Sequence, residues 1–175
     1  MPFHLIHFQQ IQRESSNFKN IQFIAPSKWL ADLAKTSKLL NNSKILMINN
    51  PVPDNFQPQV TVESKKEIKI GFVSENLNNP YKGLTTLIDA LRIIGDEYSF
   101  SLRLFGNGNP PINLRNIKHS ISTFRGESAA SKAYKSCHLI VVPSLEDNSP
   151  SVISEALMSG IPVIGSDAGG IPEIL

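Results

Sequence analysis

HLIVVPSLEDNSPSVISEALMSGIPVIGSDAGGIPE, residues 138–173, decides the fold. Its first apolar run, 138–142, is too short for a helix core and is halted by Pro143-Ser144, so it reads as a buried parallel strand. A polar turn follows, in which Asn148 or Ser149 can cap a helix carrying Pro150 in its first turn, where a missing N–H costs no intrahelical bond. Val152, Ile153, Ala156 and Leu157 then recur at helical spacing, and Gly160 stops the helix before a second apolar run over 161–164. The result is a strand–helix–strand unit. In open parallel sheets ligands bind beyond the carboxyl ends of the strands, which puts the loops 145–150 and 165–170 side by side at one mouth.

Two acidic residues belong to that mouth. Asp147 stands before the helix and Glu155 lies two turns into it, with seven residues between them. Backbone N–H groups over 149–152 face the same side, and the partial positive charge of a helix N-terminus favours phosphate. A carboxylate only accepts hydrogen bonds, so Glu155 suits a pair of vicinal sugar hydroxyls better than a phosphate; the plainer alternative is a solvated helix residue.

Working outward, a chain of 175 residues with 41% hydrophobic and 18% charged content can bury a real core and is no disordered tail. A net charge of +2, with Lys65-Lys66 the densest basic cluster, singles out no nucleic-acid partner. Cys137 is alone, which excludes an internal disulfide, and its place before a buried strand makes it a core residue. His4, His7, His119 and His138 have no spacing that brings three metal ligands onto one element, so no metal site is expected; no other cofactor is expected either. No apolar run approaches the ~20 residues needed to span a bilayer and no leader pattern opens the chain, so the expected compartment is the cytoplasm.

Residues 1–20 carry a weak helical pattern at Ile6, Ile11 and Phe18. Residues 21–25 read as a strand, Ser27 as the cap of a helix with Trp29, Leu30, Leu33 and Ala34 on one face, and 44–48 as the next strand. Pro51, Pro53 and Pro58 punctuate an extended segment, and 58–66 reads as a linker. All ten glycines lie at or beyond Gly71, which fits a domain boundary near 58–67 and a second domain over 67–175. In that domain strands at 68–73, 100–105, 121–124, 138–142 and 161–164 alternate with helices at 82–94, 127–136 and the one after Pro150. The order β-α-β-β-α-β-α-β predicts an α/β fold with a doubly wound parallel sheet, helices on both faces. Gly106-Asn107-Gly108 allows either a close approach to a ligand or only a tight turn, and Gly169-Gly170 leaves the same choice.

PSLEDNSPSVISEALMSGIPVIGSDAGGIPEI resembles the donor-site signature of the retaining family-4 glycosyltransferases, glycosyl transferases group 1, enzymes of two Rossmann-like domains. FIAPSKWLADLAK and NNPVPDNF are similar to the last unit of their acceptor domain and its crossover. On this resemblance residues 1–57 are a remnant of the acceptor domain, 67–175 a donor-binding domain cut short at its end, and the whole an incomplete two-domain glycosyltransferase. The implied catalytic residues are Asp147, Glu155 and Lys82. Glu155 holds the donor's ribose hydroxyls; the stretch Asn148, Ser149, Pro150, Ser151 and Val152 meets the diphosphate and sugar; Lys82-Gly83 contacts the phosphates. Gly106 and Arg125-Gly126 line the nucleotide pocket. Two positions depart from the family pattern: Asp147 stands where Glu is usual, and Phe72 where an Arg is common, with Arg103 or Arg125 as candidate replacements.

The resemblance implies hexosyl transfer from a nucleotide sugar to a hydroxyl acceptor, a sugar or lipid-linked glycan, and the EDNSP form looks like enzymes of surface polysaccharide synthesis. The partners implied are the donor, the acceptor and the missing acceptor domain; peripheral membrane contact of a longer protein stays open. Two alternatives stand beside it: a nucleotide-sugar binding module or inactive remnant, and a sugar-nucleotide epimerase, which shares the two-domain fold.

Overall fold

The computed structural model describes residues 21–58, 67–110, 113–123 and 126–175. The weak helix over 1–20 with His4 and His7, most of the 58–66 linker, and Arg125 lie outside them. The chain forms two compact units, Met1–Asn50 and Pro51–Leu175.

In the first unit β1 (Gln22–Ala25) pairs in parallel with β2 (Lys44–Met47), joined through α1 (Lys28–Thr36). Ser27 caps α1 as its sequence position predicts, accepting a bond from the Leu30 N–H at 3.2 Å. The apolar face differs from expectation. Ala31 is the buried residue of α1 and Leu33 remains half exposed, because two strands offer too little surface to cover the whole stripe.

The second unit is a five-stranded parallel sheet in the order β5-β4-β3-β6-β7. Its strands are β3 (Ile68–Asn76), β4 (Phe100–Asn107), β5 (His119–Ser122), β6 (Leu139–Val142) and β7 (Val163–Gly165). Three α-helices connect them: α2 (Leu84–Ile94) between β3 and β4, α3 (Glu127–Lys135) between β5 and β6, and α4 (Ser151–Met158) between β6 and β7. This is the predicted element order. Alternate strand residues point to opposite faces, and the core divides accordingly. Ile70, Phe72, Leu102 and Leu104 pack with Leu84, Leu87, Ile88 and Leu91 of α2. Phe105, Ile140 and Val142 pack with Ala130, Ala133 and Tyr134 of α3 and Ile153 and Ala156 of α4. Each large aliphatic side chain buried this way is worth about 1.5–3 kcal/mol, so the four on α2 hold it firmly.

Several starts and stops fall elsewhere than expected. The helix predicted from Lys82 is broken into a short 3-10 turn, Pro80–Lys82, and α2, because Gly83 between them takes a left-handed conformation with φ of 72°. α4 begins at Ser151 with Pro150 itself as its N-cap, in place of Asn148 or Ser149. Pro150 has the fixed φ of an entering helix but an extended ψ of 113°, which holds it just outside the first turn. Phe56, in the segment read as crossover, is 1% exposed and belongs to the core of the second unit. Cys137 is buried against Gly71, where a Cβ would meet its Sγ at 2.7 Å, and burial pushes its thiol pKa up, as befits a packing residue. Among the described residues no helix is long and apolar enough to cross a membrane.

Candidate functional site

The site forms where β3, β4 and β6 end. After β6 the chain enters loop 143–150, and this loop is gripped from both sides. On one side the Pro80–Lys82 turn, capped by Asn79 through the Tyr81 N–H at 3.0 Å, lies so close that a Cβ on Gly83 would sit 1.9 Å from the Pro143 carbonyl oxygen. The Leu145 N–H donates to the Tyr81 carbonyl at 2.8 Å across the seam. On the other side Gly169, with φ of 60°, lies against Asp147, where a Cβ would come 2.1 Å from the backbone oxygen. The Gly170 N–H donates to that oxygen at 2.8 Å, and Ser166 Oγ donates to the Ser144 carbonyl at 2.5 Å. The loops 145–150 and 165–170 therefore do lie side by side. Gly83 and Gly169 serve that close backbone packing, and Gly83 lines neither cleft described below.

This grip sets Lys82 against Asp147. Lys82 Nζ lies 2.6 Å from Asp147 Oδ2; the lysine side chain is 35% exposed and the carboxylate 10%. Both residues, with Pro150, border a narrow cleft at the N-terminal end of α4. A partly desolvated pair of this kind gains little net stability but fixes both charges in place.

Beside it opens a larger cleft of about 400 Å³, within the size range of ligand pockets. Val73 and Val152 border both clefts. The larger one brings together four of the sequence-derived candidates, Gly106, Ser151, Val152 and Glu155, along with Gly126. Gly106 admits close packing of strand ends, since a Cβ there would lie 2.0 Å from the Ser74 carbonyl oxygen. Ser151 and Val152 open α4, where amide N–H groups have no acceptor within the helix. Asn148 and Ser149 border neither cleft, and neither does Arg103. Phe72 is 2% exposed, packs in the core beneath α2 and lines the narrow cleft beside Lys82 and Asp147, where it offers an apolar ring in place of a cation.

Sequence reasoning missed several lining residues, Glu75 among them; Tyr134 and Phe56 matter most for Glu155. Tyr134 on α3 is 1% exposed, and its hydroxyl donates to Glu155 Oε2 at 2.5 Å. Burial foremost, then the hydrogen bond to Glu155 and its charge, push the phenol pKa well up, so the hydroxyl keeps its proton. Phe56 packs on Tyr134 with ring centroids 5.8 Å apart at 47°, and the Asn55 carbonyl accepts from Ser131 Oγ at 3.2 Å to tie its segment to α3. Signals existed for both. A tyrosine on the apolar face of a helix must find a partner for its hydroxyl, and a lone phenylalanine among prolines and polar residues must find cover. Among the described residues no group of His, Cys, Asp and Glu is placed to hold a metal ion.

Comparisons with known proteins agree with this architecture. Residues 67–175 match the family described as "Glycosyl transferases group 1". The chain is 26% identical over 160 residues to the putative colanic acid biosynthesis glycosyl transferase WcaC of Escherichia coli, covering 88% of this chain and 38% of that protein. Its structure superposes on sucrose-phosphate synthase from Thermosynechococcus elongatus with a TM-score of 0.74 and 18% identity, covering 94% of this chain and 45% of the other. It also superposes on Anabaena HepE in complex with UDP-glucose, with a TM-score of 0.66 and 20% identity over 87% and 46% of the two chains. The chain spans less than two fifths of the length of the curated relatives it matches.

Proposed function

This chain belongs to the glycosyl transferases group 1 family, and from that premise we propose that its second unit binds a nucleotide-sugar donor for transfer of the hexosyl group, with retention, to a hydroxyl of a sugar or lipid-linked glycan. The observation that carries the reading is the adjacency of a cleft and a small niche of about 10 Å³, with Val73 and Val152 lining both. One offers Lys82 beside the start of α4; the other, about 400 Å³, offers Glu155 and the first amides of α4. A nucleotide sugar is chemically divided in the same way, into an anionic diphosphate and a nucleoside rich in hydroxyls.

In this reading the base and ribose occupy the larger cleft past Gly106, and Glu155 accepts from the ribose hydroxyls. The diphosphate lies across Ser151 and Val152, whose amides and helix dipole favour negative charge, with Lys82 as the cation. Asp147 faces the sugar. When the glycosidic bond breaks, negative charge grows on the departing diphosphate, and Lys82 with the α4 amides stabilises it without a metal ion. Lys82 reaches this role by leaving Asp147, its partner in the structure, for the phosphate. Arg125, which follows β5, is proposed as a second cation in place of Phe72. The same reading places the protein in the cytoplasm and in surface polysaccharide synthesis, supported by the similarity to WcaC and the bound UDP-glucose of HepE.

Calorimetric titration with the uridine, guanosine, adenosine and cytidine diphosphates and their glucose conjugates tests the reading. Saturable binding to one base, abolished or weakened by Glu155→Ala, supports it; absence of binding to all of them overturns it. Transfer requires an acceptor held against the donor, which supplies ~7–11 kcal/mol of barrier lowering. In the described part of the first unit a two-stranded sheet and one helix have little surface for that, so this chain by itself is expected to bind without transferring.

A further inference from the structure

The bond from Tyr134 to Glu155 is used by no step above, yet it fixes the residue on which nucleoside recognition turns. Resting on the proposed ribose-binding role of Glu155, we propose that Tyr134 is a positioning residue that aims the Glu155 carboxylate at the vicinal hydroxyls of the nucleoside and so makes the cleft selective for ribonucleotides.

The terminal torsion of a glutamate is soft, and a carboxylate without a partner rotates through a broad range. Here Oε2 accepts from the phenol at 2.5 Å, which removes that freedom and leaves Oε1 with no partner among the described residues. Tyr134 is itself immobilised. It is 1% exposed, backed by Phe56 on one side and embedded with Ala130, Ile153 and Ala156 in the core between α3 and α4. Glu155 has no ion-pair partner among the described residues, unlike Asp147, so its charge is held by a neutral donor and stays available to a ligand. Each carboxylate oxygen can accept more than one hydrogen bond, so the phenol does not use up the acceptors a diol needs. Because its proton is retained, the phenol can donate to the carboxylate.

The test compares the tightest-binding of the uridine, guanosine, adenosine and cytidine diphosphates with its 2′,3′-dideoxy counterpart by calorimetry, on the 175-residue chain and on Tyr134→Phe and Glu155→Gln. The parent should prefer the diol. Tyr134→Phe should weaken diol binding on the order of tenfold, the worth of one well-placed hydrogen bond, and leave the dideoxy ligand unchanged. If Glu155→Gln removes the preference and Tyr134→Phe keeps it, the positioning role is wrong and the ribose reading survives. If the parent does not discriminate, or binds none of the diphosphates, the ribose reading itself falls and this inference with it. Should Tyr134→Phe fail to fold, 3-fluorotyrosine incorporation at the three tyrosines gives a second readout. The fluorine resonance of residue 134 should move with the diol ligand and stay with the dideoxy one; equal movement overturns the proposal.

Discussion

Asp147 and Glu155 are the same kind of group at opposite ends of one short stretch, and the structure treats them oppositely. Asp147 is nine-tenths covered and answered by a lysine cation on a loop clamped through glycines; Glu155 stands on a helix, answered by a buried neutral phenol. A carboxylate paired with a cation has its charge cancelled, while one held by a phenol is oriented and keeps its charge. On the proposed reading, the pair divides into a site that must exchange partners to bind phosphate and a site ready to bind hydroxyls.

That contrast can be broken first at its frame. Gly83→Ala forces a Cβ into the Pro143 carbonyl from a left-handed backbone, and should cost about 3 kcal/mol of folding stability by denaturant titration. A loss under about 1 kcal/mol would mean that the loop yields and the grip is weaker than described. Lys82→Met removes the cation and leaves Asp147 to repel the phosphates. Nucleoside diphosphate affinity should fall by about 2.5 kcal/mol, near a hundredfold by calorimetry, and an unchanged affinity would take Lys82 out of the phosphate site. Glu155→Ala should weaken the same ligands by about 2 kcal/mol, within the range for hydrogen bonds to charged groups, with equal affinities eliminating Glu155 as the ribose acceptor. The smallest effect sharpens the comparison by its sign. Asp147→Asn frees Lys82 of its competitor and should tighten diphosphate binding by about 1 kcal/mol, several-fold, whereas weaker binding would show that Asp147 itself contacts the ligand.

Most of the fold was legible because it rests on periodicity. Apolar runs of strand length alternating with helical spacing produced the element order, and Ser27 announced its helix by capping chemistry that depends on neighbours alone. The mouth of the site was legible for the same reason, since strand ends and helix starts locate it. What the sequence concealed was who answers whom. Lys82 and Asp147 meet across 65 positions and Tyr134 and Glu155 across 21, and no local pattern carries such pairings. The glycines illustrate the limit. Gly106 and Gly169 read equally as ligand contacts or as turns, and only the positions of Ser74 and Asp147 show that backbone packing requires them.

Phe56 gives the second unit an edge that its sequence family does not mark. The family match starts at residue 67, but the packed body starts at Pro51, and the ring that walls the larger cleft comes from the stretch between. A chimaera joined at residue 67 would inherit a donor half with a hole beside Tyr134, and losing a buried phenylalanine ring typically costs 3–5 kcal/mol. A seam placed at residue 51 would carry the plug along with the socket it fills.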